Sequence, residues 1–127
     1  MTSDPLVVED DHDIRDLFTM FLEDEGVSVI GAGDGRGAIE LIQQLGAPAG
    51  PLCLVLLDMM LPTLDGPAVI EYLVQHGIRM PVVAMSACQD QLLAAQAKGA
   101  CATLHKPFEL DQLLHAVTGH CLRFTPV

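Results

Sequence analysis

Five short, mostly aliphatic runs punctuate the chain: Leu6–Val8, Val27–Ala32, Leu52–Leu57, Pro81–Met85 and Cys101–Leu104. A strand with apolar side chains on both faces must be covered on both faces, which is the condition of a parallel sheet sandwiched between helices. The intervening segments have helical spacing. Ile14, Leu17, Phe18, Phe21 and Leu22 fall on one stripe of one helix, and the pattern returns at Ala38, Leu41, Ile42 and Leu45 and at Leu110, Leu113, Leu114 and Val117. Val69, Ile70, Leu73 and Val74 mark another helix, ended near Gly77. The stretch from Gln89 to Lys98 is helical by its Ala, Leu and Gln content, but its stripe is weak, so it is expected to be the most easily displaced element. Strand and helix alternating in this way, joined by short loops, give an α/β domain: a doubly wound five-stranded parallel sheet with right-handed crossovers. The Gly/Pro-rich stretch from Gly46 to Pro51 fits a helix-to-strand loop. The domain is expected over residues 1–122, with 123–127 as a loose tail.

A chain of 127 residues is long enough to bury one core and too short to suggest two. Half of it is apolar, yet no run approaches the roughly 18 residues of a membrane span. The opening MTSDP has no basic stretch leading into an apolar one, so a cytoplasmic, soluble protein is expected. Six Lys and Arg against seventeen Asp and Glu give a net charge of −11, the wrong sign for gripping a phosphate backbone. Direct nucleic-acid binding is therefore not expected. The four cysteines, Cys53, Cys88, Cys101 and Cys121, form no CxxC pair or Cys/His cluster, and the expectation is that all are reduced.

Ligands of such sheets bind beyond the carboxyl ends of the strands. Those ends carry Glu9, Asp10 and Asp11 after the first run, Asp58 after the third, Ser86 after the fourth, and Lys106 followed by Pro107 after the fifth. If Glu9, Asp10 and Asp58 converge, each pair of charges about 4 Å apart costs on the order of 4 kcal/mol at an effective dielectric near 20. A hard divalent cation relieves this, and Mg2+ suits a site of few carboxylates that keeps several waters; the backbone carbonyl of Met60 could complete its shell. A carboxylate aimed from a rigid strand end beside such an ion can attack a phosphoryl group and carry it as an acyl phosphate. The Lys106 ammonium and Ser86 hydroxyl would help neutralise the transferring oxygens.

These residues resemble the receiver domain of bacterial response regulators over nearly the whole chain. LVVEDD is similar to that family's acidic start, LVLLDMMLPTLDG to its phosphoacceptor strand and loop, PVVAMSA to its hydroxyl-bearing strand, and KGACATLHKPF to its lysine-proline strand end. The resemblance implies a flavodoxin-like strand order and a two-component signalling role. Asp58 would be the phosphoacceptor, Glu9 and Asp10 the Mg2+-binding acids, Ser86 the switch hydroxyl and Lys106 the phosphate-contacting cation. It also implies a cis bond at Lys106-Pro107, proline being the one residue for which cis is cheap. The phosphoryl donor would be a sensor histidine kinase or a histidine phosphotransfer protein, and the output an unknown downstream protein reached by conformational change. Such a chain catalyses its own phosphorylation chemistry and is not an enzyme with an external product.

Some positions depart from the family's pattern. Thr103 stands where many receivers carry an aromatic residue three before the lysine, and Cys101 and Ala102 replace two acids that often precede it. Met60 and Cys88, two residues beyond Asp58 and Ser86, are poor at orienting water, so slow loss of the phosphoryl group is expected. A docking module that no longer takes phosphate is an alternative. A dinucleotide-binding domain is another, because Gly33 to Ala38 fits GxGxxA after a strand, although a glycine-rich loop opening a helix is the simpler reading. Taken singly, the acids at 9–11 would be helix N-terminal acids, with Asp11 as a cap, and Asp65-Gly66 a helix start. No histidine pattern suggests a metal; His76, His115 and His120 are expected at the surface, and His12 and His105 flank the proposed pocket.

Overall fold

The computed structural model describes residues 4–46 and 50–121. The expected tail and the middle of the Gly46–Pro51 loop lie outside these. Five strands alternate with five helices: β1 (Asp4–Val8), α1 (His12–Asp24), β2 (Ile30–Ala32), α2 (Gly35–Leu45), β3 (Leu52–Asp58), α3 (Gly66–Gln75), β4 (Val82–Ser86), α4 (Gln89–Lys98), β5 (Ala102–His105) and α5 (Leu110–His120). All pairings are parallel and the order is β2-β1-β3-β4-β5. This is the flavodoxin-like arrangement.

The alternation of side chains along each strand splits the core into two layers. Leu6, Val8, Val55, Leu57, Val82 and Ala84 point to one side, where Ile42, Ile70 and Leu92 of α2, α3 and α4 cover them. Val7, Leu54, Leu56, Val83 and Met85 point to the other, beneath Phe18 and Leu22 of α1 and Leu113 and Val117 of α5.

Helix starts follow local chemistry. The carboxylates of Asp11, Asp34 and Asp65 each accept backbone N–H groups in the first turns of α1, α2 and α3, satisfying donors that have no partner within the helix. Two boundaries differ from the sequence reading by more than one residue. β2 begins at Ile30 and not at Val27, because the Val27 N–H closes onto the Leu22 carbonyl and Gly26 turns with φ 88°. β1 begins earlier, at Asp4, whose N–H bonds the Pro51 carbonyl; the register shifts between Asp4 and Pro5, where a proline without an N–H is tolerated. The Lys106-Pro107 bond is cis.

The cysteines correct the sequence reading. Cys53 on β3 and Cys121 just past α5 form a disulfide with Cα atoms 5.2 Å apart, while Cys88 and Cys101 are free. The partners are 68 residues apart in sequence, and only the packing of α5 on the sheet brings them together.

Candidate functional site

With β1 and β3 adjacent, then β4 and β5, the carboxyl ends of four strands form one rim. Backbone hydrogen bonds set its geometry: Glu9 N–H to the Ala32 carbonyl at 3.1 Å, Met59 N–H to Met85 at 2.9 Å, and Lys106 N–H to Ser86 at 2.8 Å. Among the described residues, the buried polar side chains are Glu9, Asp58 and Ser86, with relative exposures of 1%, 5% and 3%. Asp10 is exposed at the mouth. Carboxylate oxygens of Glu9, Asp10 and Asp58 lie within 4.8 Å of one another.

The Lys106 ammonium reaches across the rim to donate to Asp58 Oδ2 at 2.8 Å and Glu9 Oε1 at 3.2 Å. The Met60 N–H donates to Asp58 Oδ1 at 2.9 Å, so both oxygens of Asp58 are held. Met60 itself turns its side chain outward. Burial, reinforced by a hydrogen bond with Asp58 and by that residue's charge, pushes the Glu9 carboxyl up to about 7 against the pull of Lys106. Burial alone would lower Lys106, but the hydrogen bonds and charges of Asp58 and Glu9 outweigh it and raise its pKa. One ammonium therefore faces three carboxylates, and an oxygen-seeking divalent cation fits the remaining negative charge.

Ser86 caps the other side of the rim. Its hydroxyl donates to Gln91 Oε1 on α4 and accepts the Cys88 N–H at 3.0 Å. Sequence reasoning did not single out Gln91, because a glutamine in a predicted helix carries no signal until the fold puts it beside Ser86. Arg15 was also missed: its Nη1 donates to the Glu9 carbonyl at 2.8 Å and steadies the strand end. His12 pairs with Asp16 on the surface of α1, its Nδ1 3.3 Å from Oδ2, and His105 is exposed. The glycine-rich loop opens α2 as a capped helix start, since Asp34 accepts the Gly37 N–H at 2.7 Å. A Cβ on Gly35 would fall 1.9 Å from the Leu64 carbonyl oxygen, so Gly35 serves packing.

Residues 6–118 match the family described as response regulator receiver domain. The chain belongs to that family. Among relatives of this receiver domain, a probable transcriptional regulatory protein of Picosynechococcus sp. is 40% identical over 86% of the chain and 45% of its own length. Response regulator MprA of Mycolicibacterium vanbaalenii is 36% identical over 95% of the chain and 51% of its own length. The receiver therefore spans about half the length of such curated relatives. The solved receiver domain of NtrX from Brucella abortus superposes with a TM-score of 0.82 at 32% identity, covering 95% of this chain and all of that one. The likeness carries two-component signalling as the domain's role, and neither the dinucleotide reading nor the phosphate-independent one is favoured. Among the described residues, no helix is long and apolar enough to cross a membrane.

Proposed function

We propose that this receiver takes a phosphoryl group onto Asp58 from the phosphohistidine of a sensor histidine kinase or histidine phosphotransfer protein, in an Mg2+-dependent reaction. The observation that carries the reading is the placement of Asp58: a buried carboxylate on a strand end, with Lys106 Nζ 2.8 Å from one oxygen and a backbone N–H on the other. Glu9 and Asp10, with Asp58 and the Met60 carbonyl, would hold the metal. Bound there, Mg2+ would neutralise charge on the transferring oxygens.

A carboxylate oxygen of Asp58 attacks phosphorus in line, the bond to the donor imidazole breaks, and its electron pair returns to that nitrogen. Lys106 moves from the free carboxylates to a phosphoryl oxygen, where its charge follows the charge that develops. Ser86 then donates its hydroxyl to another phosphoryl oxygen and draws the β4–α4 loop inward. Because α4 buries only Leu92 and the small Ala95, this shift moves it at little expense in packing. The domain thus catalyses its own phosphorylation chemistry and signals by docking to a downstream protein. The charge of −11 favours a protein over nucleic acid as that partner, and a cytoplasmic location suits the donor. The functional unit is taken as residues 1–122, with 123–127 as a tail.

Incubation with acetyl phosphate and Mg2+, followed by intact-mass measurement, tests the reading. A gain of one phosphoryl group that needs Mg2+ and is lost in Asp58→Asn is expected. No gain, or a gain unaffected by that substitution, overturns it.

A further inference from the structure

We propose that Gln91 is a positioning residue that opposes activation by holding the Ser86 hydroxyl, so that its side chain sets how readily the domain responds to phosphate on Asp58. The inference rests on the assignment of Asp58 and Ser86 above and adds a component to it.

A serine hydroxyl has one hydrogen to donate. In this structure that hydrogen is given to Gln91 Oε1 in the first turn of α4, and the oxygen accepts the Cys88 N–H at 3.0 Å. A phosphoryl oxygen at Asp58 can only accept. Ser86 therefore cannot serve both partners, and engagement of the phosphoryl group requires that the bond to Gln91 break. The competition is local and buried: Ser86 is 3% exposed and Gln91 half-buried, so water does not freely replace either partner.

The same bond ties α4 to the sheet. The N-cap of α4 is Cys88, whose side chain makes no capping hydrogen bond, whereas α1, α2 and α3 each have a capping carboxylate. Ser86, reaching Cys88 N–H and Gln91 Oε1 together, supplies the missing anchor from the end of β4. When the hydroxyl turns to the phosphoryl group, α4 loses its tie to β4 in the same event. The Gln91 amide oxygen is the alternative acceptor that keeps the resting state populated.

The test is calorimetric titration with beryllofluoride in Mg2+, in which beryllium bonds the Asp58 carboxylate and its fluorines stand where phosphoryl oxygens would. Gln91→Leu keeps the bulk of the side chain and removes the acceptor. It is expected to tighten binding about two- to tenfold, the range of one net hydrogen bond. Gln91→Ala should act in the same direction and guards against a defect peculiar to leucine. In a Ser86→Ala background both gains should vanish, a coupling that a merely structural effect on α4 would not produce. Unchanged or weaker binding in the Gln91 variants overturns the inference while leaving the phosphoacceptor assignment intact, as does an equal gain with and without Ser86. Failure of the unsubstituted protein to bind, or binding that survives Asp58→Asn, overturns both.

Discussion

At the scale of residues, the site is defined by charges that the fold holds together against their repulsion. Glu9 titrates near 4.5 in the unfolded chain and near 7 when folded, so the native state binds this proton more tightly. Its stabilising contribution is complete below pH 4.5 and is lost as pH rises through about 7. In EDTA, denaturant melts should therefore show stability falling between about pH 4.5 and 7 by an amount on the order of 3 kcal/mol. Glu9→Gln should flatten that slope, and Mg2+ should offset it. A metal-free protein whose stability rises over this interval would contradict the upward shift of Glu9 by burial and by Asp58. Met60 and Cys88 bear on the lifetime of the product: neither side chain orients an attacking water, so the phosphorylated protein should persist for minutes or longer in Mg2+ buffer. Decay within seconds, followed by the mass of the intact protein, would show that other groups position that water.

At the scale of elements, the strand ends were legible because four of the five aliphatic runs, all but Val27–Ala32, lead into a polar residue of a type that handles phosphate or a cation. Asp58, Ser86 and Lys106 could be read from that pattern, and Asp11 and Asp65 from the spacing of caps. The Cys53–Cys121 disulfide could not, since spacing says nothing about which helix end lies over which strand. Nor could the role of Gln91, which depends on the path of α4 past β4. Val27 was misplaced because an aliphatic residue closing a helix looks like one opening a strand. Two elements invite direct tests. A Cβ on Gly66 would sit 2.6 Å from the Asp58 carbonyl oxygen and the Met59 Cα. Gly66→Ala should therefore displace the end of β3, lower stability by about 1–3 kcal/mol and slow phosphorylation, as read by thermal melts and mass gain against time. Reduction of the bond between β3 and α5 should cost about 2–4 kcal/mol in urea unfolding, with Cys53→Ala insensitive to reductant.

At the scale of the molecule, strand order turns a linear sequence into a site. Glu9 and Lys106 are 97 residues apart and meet at 3.2 Å because β1, β3, β4 and β5 stand side by side with their carboxyl ends on one rim. The sheet is covered on both faces, and α4 buries only Leu92 and the small Ala95. The acidic domain spans about half of its relatives' length and gathers its buried polar side chains at one end of the sheet. Whether the chemistry occurs at the end of β3 can be read at one residue. After incubation with acetyl phosphate and Mg2+, borohydride reduces an acyl phosphate to an alcohol, converting a phosphorylated aspartate to homoserine, which peptide mass spectrometry locates. Homoserine at position 58 and at no other acid is the predicted result; homoserine at 10, 11 or 65, or nowhere, would contradict the phosphoacceptor assignment.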